Sequence, residues 1–178
     1  MIARAAENAA ENAQGEHDRQ LVDARAALEG VCDPEIPALT IGDIGILRDV
    51  RRDAAGRVEV VITPTYSGCP AMGVIEFEIR AALDATGLED ARISTVYSPA
   101  WTTDWITERG RQRLLEAGIA PPAQSTGNKR ALFGEVVVRC PRCDSEDTER
   151  VSEFGATACK ALYRCRACAE PFEYFKCI

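Results

Sequence analysis

Histidine is nearly absent: His17 is the only one in 178 residues, and it lies in a polar N-terminal stretch. Histidine-based triads, two-histidine metal sites and histidine proton shuttles are therefore disfavoured. Long apolar runs are missing too, and nothing approaches the roughly 18 residues of a membrane span. The N-terminus has neither the basic start nor the apolar centre of a secretion signal, so the expected address is cytoplasmic, with no membrane partner. A basic excess is also lacking. Lys plus Arg number 21 against 28 Asp plus Glu, a net charge of −7. Residues 134–178 carry seven basic and eight acidic side chains. A nucleic-acid-binding module would be expected to show a basic face, so nucleic acid is not an expected partner.

What remains is sulfur. Eight cysteines stand at 32, 69, 140, 143, 159, 165, 168 and 177. In a reducing compartment such a set points to metal binding or reactive thiols rather than disulfides. The apolar share of 46% with 28% charged residues fits a soluble globular protein, one medium domain or a small one with an appendage.

Patterning divides the chain into four parts. Residues 1–18 are Ala/Asn/Glu-rich with little to bury and are expected as a disordered tail, a frayed Ala-rich helix being the alternative. Residues 19–118 hold a main domain. Leu21, Ala24, Leu28 and Val31 recur at helical spacing; residues 33–45 form a Pro/Gly-containing ordered loop; residues 46–50 and 57–62 alternate around an Asp53–Gly56 turn as a hairpin. Pro70 opens a helix bearing Ile75, Ile79 and Ala82 and ending at Gly87, residues 93–97 read as a third strand, and residues 104–117 as a third helix ended by Gly118. The fold class is thus α+β, a small two-layer domain. A Pro/Ser/Gly-containing linker covers 119–133, and 134–178 form a β-rich module too small for a large core without a staple.

The staple is legible. Cys140-Pro-Arg-Cys143 and Cys165-Arg-Ala-Cys168 are CxxC pairs separated by 21 residues. Two thiolates three positions apart on a tight turn face one ion, and two such turns complete a tetrahedral S4 shell. Structural Zn²⁺ is the expected occupant. Rubredoxin-like iron has the same geometry, and two metal-free dithiols would leave the folding of so short a module unexplained. Cys32, Cys159 and Cys177 receive no role. Cys159 and Cys177 are buried inert thiols or exposed thiols near the ribbon tip, and Cys159 is close enough to the ribbon to be a substitute ligand.

A second constellation is Thr63-Pro-Thr-Tyr-Ser-Gly-Cys69-Pro70. Proline at the first helical position places Cys69 at or beside a helix N-cap, where free N–H groups and the helix dipole lower a thiol's pKa. Asp33, Glu35 and Asp43 lie in the loop after the first helix, and Thr65 is four positions before Cys69. Their convergence would give one thiolate several oxygen ligands. A nucleophilic thiol enzyme fits poorly because no histidine base is available. Transient binding of iron or a cluster fits better. Trp101 and Trp105 pack against the third helix or anchor a partner.

At these residues the chain resembles a known family. Asp33-Pro-Glu-Ile-Pro37, Ile41-Gly-Asp-Ile-Gly45 and Thr65-Tyr-Ser-Gly-Cys69-Pro70 are similar to the iron–sulfur assembly domain of SufT-type proteins and eukaryotic cytosolic assembly factors. Trp101-Thr-Thr-Asp-Trp-Ile106, Gly118-Ile-Ala-Pro-Pro122, Cys140-Pro-Arg-Cys143, Ala158-Cys-Lys-Ala-Leu-Tyr-Arg-Cys165 and Pro171-Phe-Glu-Tyr-Phe-Lys-Cys177 extend the resemblance to the PaaD branch of phenylacetate-degradation proteins. It covers nearly everything after about residue 20. The resemblance implies an αββαβ domain with a zinc ribbon, acting beside the multicomponent phenylacetyl-CoA epoxidase. That system has a di-iron oxygenase component and a reductase with flavin and a plant-type [2Fe–2S] centre. The chain itself has no Glu-x-x-His pair for di-iron and no G-x-G-x-x-G for a dinucleotide. The expected function is therefore maturation without catalysis: delivery of an iron–sulfur cluster or iron, in contact with the reductase, the oxygenase and other iron–sulfur assembly proteins. A structural subunit of the epoxidase complex is the alternative. The family site maps to Asp33, Glu35, Asp43, Thr65 and Cys69.

Overall fold

The computed structural model describes residues 2–122 and 137–176. The first element is a long helix, α1 (Ile2–Leu28). Its C-terminal turns bury Ala24 and Leu28, with Leu21 and the following Val31 completing the expected apolar stripe. The segment expected as a disordered tail is described from Ile2 onward as the start of this helix. A helix already nucleated by packing extends at low cost through Ala- and Glu-rich sequence. Two arginines latch it to the sheet: Arg25 donates to the Val50 carbonyl at 2.7 Å, and Arg52 donates to the His17 carbonyl and Gln20 Oε1, both at 2.7 Å.

The hairpin forms as β1 (Leu47–Arg52) and β2 (Val58–Ile62), paired antiparallel. Asp53 fixes its turn by accepting the N–H groups of Ala55 and Arg57, and Gly56 supplies the left-handed residue at φ +80°. Val58, Val60 and Ile62 alternate into the core. Helix α2 (Met72–Asp84) then returns the chain to β3 (Arg92–Thr95), which lies parallel to β2 and completes a sheet of order β1-β2-β3. Ile75, Ile79 and Leu83 are the buried face of α2, with Ala82 only partly buried.

The third helix starts later than its periodicity suggests. Thr103–Trp105 is a single 3-10 turn, and α3 (Glu108–Glu116) begins after Thr107, whose hydroxyl accepts the Gly110 N–H at 3.0 Å. Asp43 anchors α3 to the domain. Its fully buried carboxylate meets Arg109 Nε and Arg113 Nη1, each at 2.6 Å, and its carbonyl accepts the Thr107 N–H. Gly110 is required here, because a Cβ would lie 2.6 Å from the Asp43 carbonyl oxygen. Both tryptophans are packing residues. Trp101 is buried and donates to the Ile44 carbonyl, while Trp105 lies against Gly45 under the Arg48 guanidinium.

The C-terminal sheet has the order β4-β7-β6-β5, from β4 (Ile119–Ala120), β5 (Thr148–Ser152), β6 (Lys160–Cys165) and β7 (Pro171–Phe175). Ile119 and Ala120, expected in the linker, are instead a buried edge strand parallel to β7, so the main domain runs directly into the ribbon's sheet. Residues 123–133 of that linker, the start of the ribbon at 134–136, and Cys177 lie outside the described residues. Phe175 ties the two parts together. Its ring is 1% exposed and meets Trp101 edge-on, with centroids 6.0 Å apart. Phe175 and Cys159 are members of the main domain's core cluster. No helix among the described residues is long and apolar enough to cross a membrane.

Candidate functional site

Two sulfur sites are present, one in the ribbon and one where the ribbon meets the main domain. In the ribbon, Cys140, Cys143, Cys165 and Cys168 place their sulfurs within 4.8 Å of one another. Cys140 and Cys168 are 3.8 Å apart, Cys143 and Cys165 3.6 Å. A tetrahedral ion with metal–sulfur bonds of about 2.3 Å has an edge of about 3.8 Å, so the four thiols fit one metal ion. Each CxxC turn is followed by a left-handed residue, Asp144 at φ 59° and Ala169 at φ 63°. The turns match in their backbone bonds as well. The Cys140 N–H reaches the Ser145 carbonyl and the Cys165 N–H the Glu170 carbonyl, five residues on in both cases. The Cys168 N–H also points at Cys165 Sγ and is the leading cause pulling that thiol down to about 7. The ribbon thus carries a preformed S4 metal site.

The second site begins with the loop after α1. Asp33 is buried and accepts the N–H groups of Glu35 and Ile36 at 2.8 and 2.9 Å. The Asp33 N–H bonds the Leu39 carbonyl, closing the loop at its base. Burial raises the Asp33 carboxyl above its ordinary pKa, against the opposing pull of the two N–H groups and of Lys160 on the ribbon. Glu35 is half-buried on the same loop. Near it, Cys69 stands at the mouth of α2 but not at or beside the N-cap as expected. The cap is Ala71 and the helix starts at Met72, so Pro70 precedes the helix and Cys69 lies two residues before the cap, with the Ala71 and Met72 N–H groups on its sulfur.

The expected lowering of the Cys69 pKa is not what the surroundings give. Desolvation is the largest effect and raises it; the Ala71 N–H opposes; the negative charges of Glu35 and Asp33 raise it further. The net direction is upward, and Cys69 is held as a neutral thiol. The two N–H groups act as expected, but burial and the neighbouring carboxylates disfavour a bare thiolate beside them.

The other site residues divide. Thr65 is buried and lines a cleft of about 330 Å³ with Tyr66, Ser67, Tyr97 and Trp101. Asp43 does not join the thiol. Both its oxygens are engaged by the α3 arginines. Burial raises its carboxyl, but Arg109 and the hydrogen bonds with Thr40 outweigh it and hold the carboxyl below the ordinary range. It is a structural anchor, and its motif Ile41-Gly-Asp-Ile-Gly45 is legible as such only once α3 is in place. Conversely, sequence reasoning assigns Cys159 no role, yet it lies in the cluster. Its Sγ is 3.6 Å from Glu35 Oε2 and 3.0 Å from Thr157 Oγ1. Burial first, then Glu35 and Asp33, push this thiol up to about 11. Tyr66 is raised by burial and then by the charges of Cys69, Glu35 and Cys159, so all these groups share one field.

Comparison with known proteins gives this geometry a family. Residues 21–95 match the family described as iron–sulfur cluster assembly protein, and residues 124–176 match the PaaD zinc beta ribbon domain. The chain is 50% identical over 153 residues to an Escherichia coli protein named as a putative component of 1,2-phenylacetyl-CoA epoxidase, covering 86% of this chain and 90% of that one. The chain belongs to the PaaD family. Its first domain is shared more widely. A Bacillus subtilis protein named as the Fe–S protein maturation auxiliary factor YitW is 37% identical over 89 residues, 49% of the PaaD-family chain and 86% of its own. A crystal structure of the domain of unknown function DUF59 from Bacillus anthracis covers 55% of this chain and 92% of its own, with 25% identity and a TM-score of 0.49. In this PaaD-family chain the assembly domain and the ribbon meet at Asp33, Glu35 and Cys159, so the second site includes residues from both family segments.

Proposed function

We propose that this chain is a non-catalytic maturation factor that carries an iron–sulfur cluster, or iron, to the multicomponent phenylacetyl-CoA epoxidase. The observation that carries this reading is Cys69: a half-buried thiol on the N–H groups of α2, faced by Asp33 and Glu35. Sulfur with carboxylate oxygen and no imidazole base suits a soft-metal ligand better than an acyl-transfer nucleophile. The names of the relatives, an epoxidase component and maturation auxiliary factors, support the same assignment.

The ribbon supplies the resident metal, Zn²⁺, held by Cys140, Cys143, Cys165 and Cys168. Its part is structural, since a module this small needs a metal to stay folded. Cargo is the separate iron or cluster at Cys69. Handover requires contact with an acceptor, and the reductase implied by the resemblance, with its plant-type [2Fe–2S] centre, is the first client. Cells lacking this chain should make a reductase without its cluster absorbance. Wild type should restore it, and Cys69→Ala should be folded and inactive; full restoration by Cys69→Ala would refute the reading. The relative's name as an epoxidase component favours a second reading, permanent residence in the epoxidase complex. Fixed-stoichiometry co-purification with active enzyme would support residence, whereas an epoxidase fully active without the chain once its clusters are loaded would support maturation.

A further inference from the structure

From the meeting of ribbon and main domain we infer that Cys159 is the second thiol ligand of the carrier site alongside Cys69, with Glu35, which lies 3.6 Å from the Cys159 sulfur, as an oxygen ligand. The inference rests on the maturation reading and goes beyond it. It makes the ribbon part of the carrier rather than only a staple beside it.

Three observations support it independently of one another. Cys159 is a ribbon residue, yet it is 5% exposed within the main domain's core and donates toward Glu35, 124 residues away in sequence. Its position is fixed by strand pairing. Its carbonyl accepts the Lys176 N–H at 3.0 Å, and Lys160 next to it bonds Glu173 at 2.8 Å, with Glu173 also accepting the Ala156 N–H. Four groups able to bind a cation through oxygen or sulfur (Asp33, Glu35, Cys69 and Cys159) are gathered in a partly desolvated place. The nearby ammonium of Lys160 is already paired with Glu173. Such a gathering of like charge is costly unless the groups stay protonated or share a cation.

Among the described residues, the four ribbon cysteines are the only group of three or more Cys, His, Asp or Glu side chains whose ligand atoms all lie within 4.8 Å of one another. At the Cys69–Glu35–Cys159 site the cargo is taken as an iron–sulfur cluster, which offers more than one iron to ligands coming from two segments of the chain. Two thiolates and one carboxylate leave one position open, where Cys-rich sites normally complete four. An incoming client thiolate can enter there. Handover is then ligand exchange without redox change. Each iron–sulfur bond to Cys69 or Cys159, and the iron–oxygen bond to Glu35, is replaced by one to a client thiolate. Two of the protons lost by the client thiols end on the departing Cys69 and Cys159, and the others pass to solvent. The ribbon metal bears on this indirectly. Strand β6 starts immediately after Cys159 and ends at the metal ligand Cys165, so the S4 site holds the strand that presents the second thiol.

The test loads the full chain anaerobically from a preformed glutathione-ligated [2Fe–2S] complex, itself a pure ligand exchange. Cluster content, resonance Raman spectrum and retention against an iron chelator are then read. Wild type should hold about one cluster beside its ribbon metal. Cys159→Ala, which preserves packing at a buried thiol, should keep the ribbon metal and lose most of the cluster to the chelator. Cys159→Ser should retain some cluster with shifted iron–sulfur stretching bands, as an oxygen replaces a sulfur. A Cys159→Ala protein equal to wild type in content, spectrum and retention, with Cys69→Ala empty, would overturn this inference and leave the maturation reading intact. Wild type that accepts no cluster would overturn both.

Discussion

Replacing Phe175 by alanine tests whether ribbon and main domain form one unit. The ring is 1% exposed and edge-on to Trp101 at 6.0 Å. Its transfer from water is worth about 2.5 kcal/mol. A residual void of ~50 Å³ at about 24 cal/mol per Å³ adds about 1.2 kcal/mol. The lost edge contact adds about 1 kcal/mol. Together the expected destabilisation is about 4–5 kcal/mol, at the upper end for phenylalanine truncation. With a urea dependence of about 2 kcal/mol per molar, the midpoint falls by about 2 M. The assay follows unfolding by tryptophan fluorescence from Trp101 and Trp105, and by ribbon-metal release to a chromophoric chelator. Both signals should move together, as expected of one cooperative unit. An unmoved tryptophan transition beside an early metal release would show the ribbon to be merely tethered, and the composite site could not stand.

Other outcomes follow from the same structure. Asp43→Asn should cost about 2 kcal/mol, since it removes charge-assisted bonds to two arginines that are themselves partly solvent-screened; urea unfolding reads it. Because the Asp43 carboxyl is held below its ordinary value of 3.8, its contribution is present above about pH 4 and lost as pH falls through the folded value. The wild-type advantage over Asp43→Asn should therefore vanish in strong acid. Alkylation of Cys69 should be slow at neutral pH and accelerate with an apparent pKa above that of a free cysteine, because burial, Glu35 and Asp33 raise it; a fast neutral reaction would contradict this. Removing the ribbon metal with a strong chelator should expose Cys159 to alkylating reagents that do not reach it in the metal-loaded protein, measured by mass spectrometry.

The αββαβ order is legible in the sequence because its determinants are local: the Val58-Glu-Val-Val-Ile62 alternation, the Asp53 turn, and Ile75 and Ile79 on α2. The paired CxxC turns are legible for the same reason. What escapes the sequence is long-range. Asp43 looks like a site carboxylate until α3 brings Arg109, 66 residues on, to its oxygen. Cys159 looks idle until the ribbon packs on the loop after α1 and sets it beside Glu35. The sign of the Cys69 shift fails through the same blindness. The helix mouth can be inferred from Pro70, but the desolvation and opposing carboxylates that outweigh it depend on loops that only the fold assembles. The N-terminal helix is the lesser alternative in the sequence because residues 2–18, weighed alone, lack the packed turns of α1 that continue from them.

The central claim is cluster carriage at Cys69 followed by direct handover. The most direct measurement mixes the protein, loaded with a ⁵⁷Fe-labelled cluster, with the apo-reductase in the presence of an iron chelator, and follows the label by Mössbauer spectroscopy. The account predicts that the labelled [2Fe–2S] signal appears on the reductase despite the chelator, and that Cys69→Ala transfers none. Label found only in the chelator would contradict it.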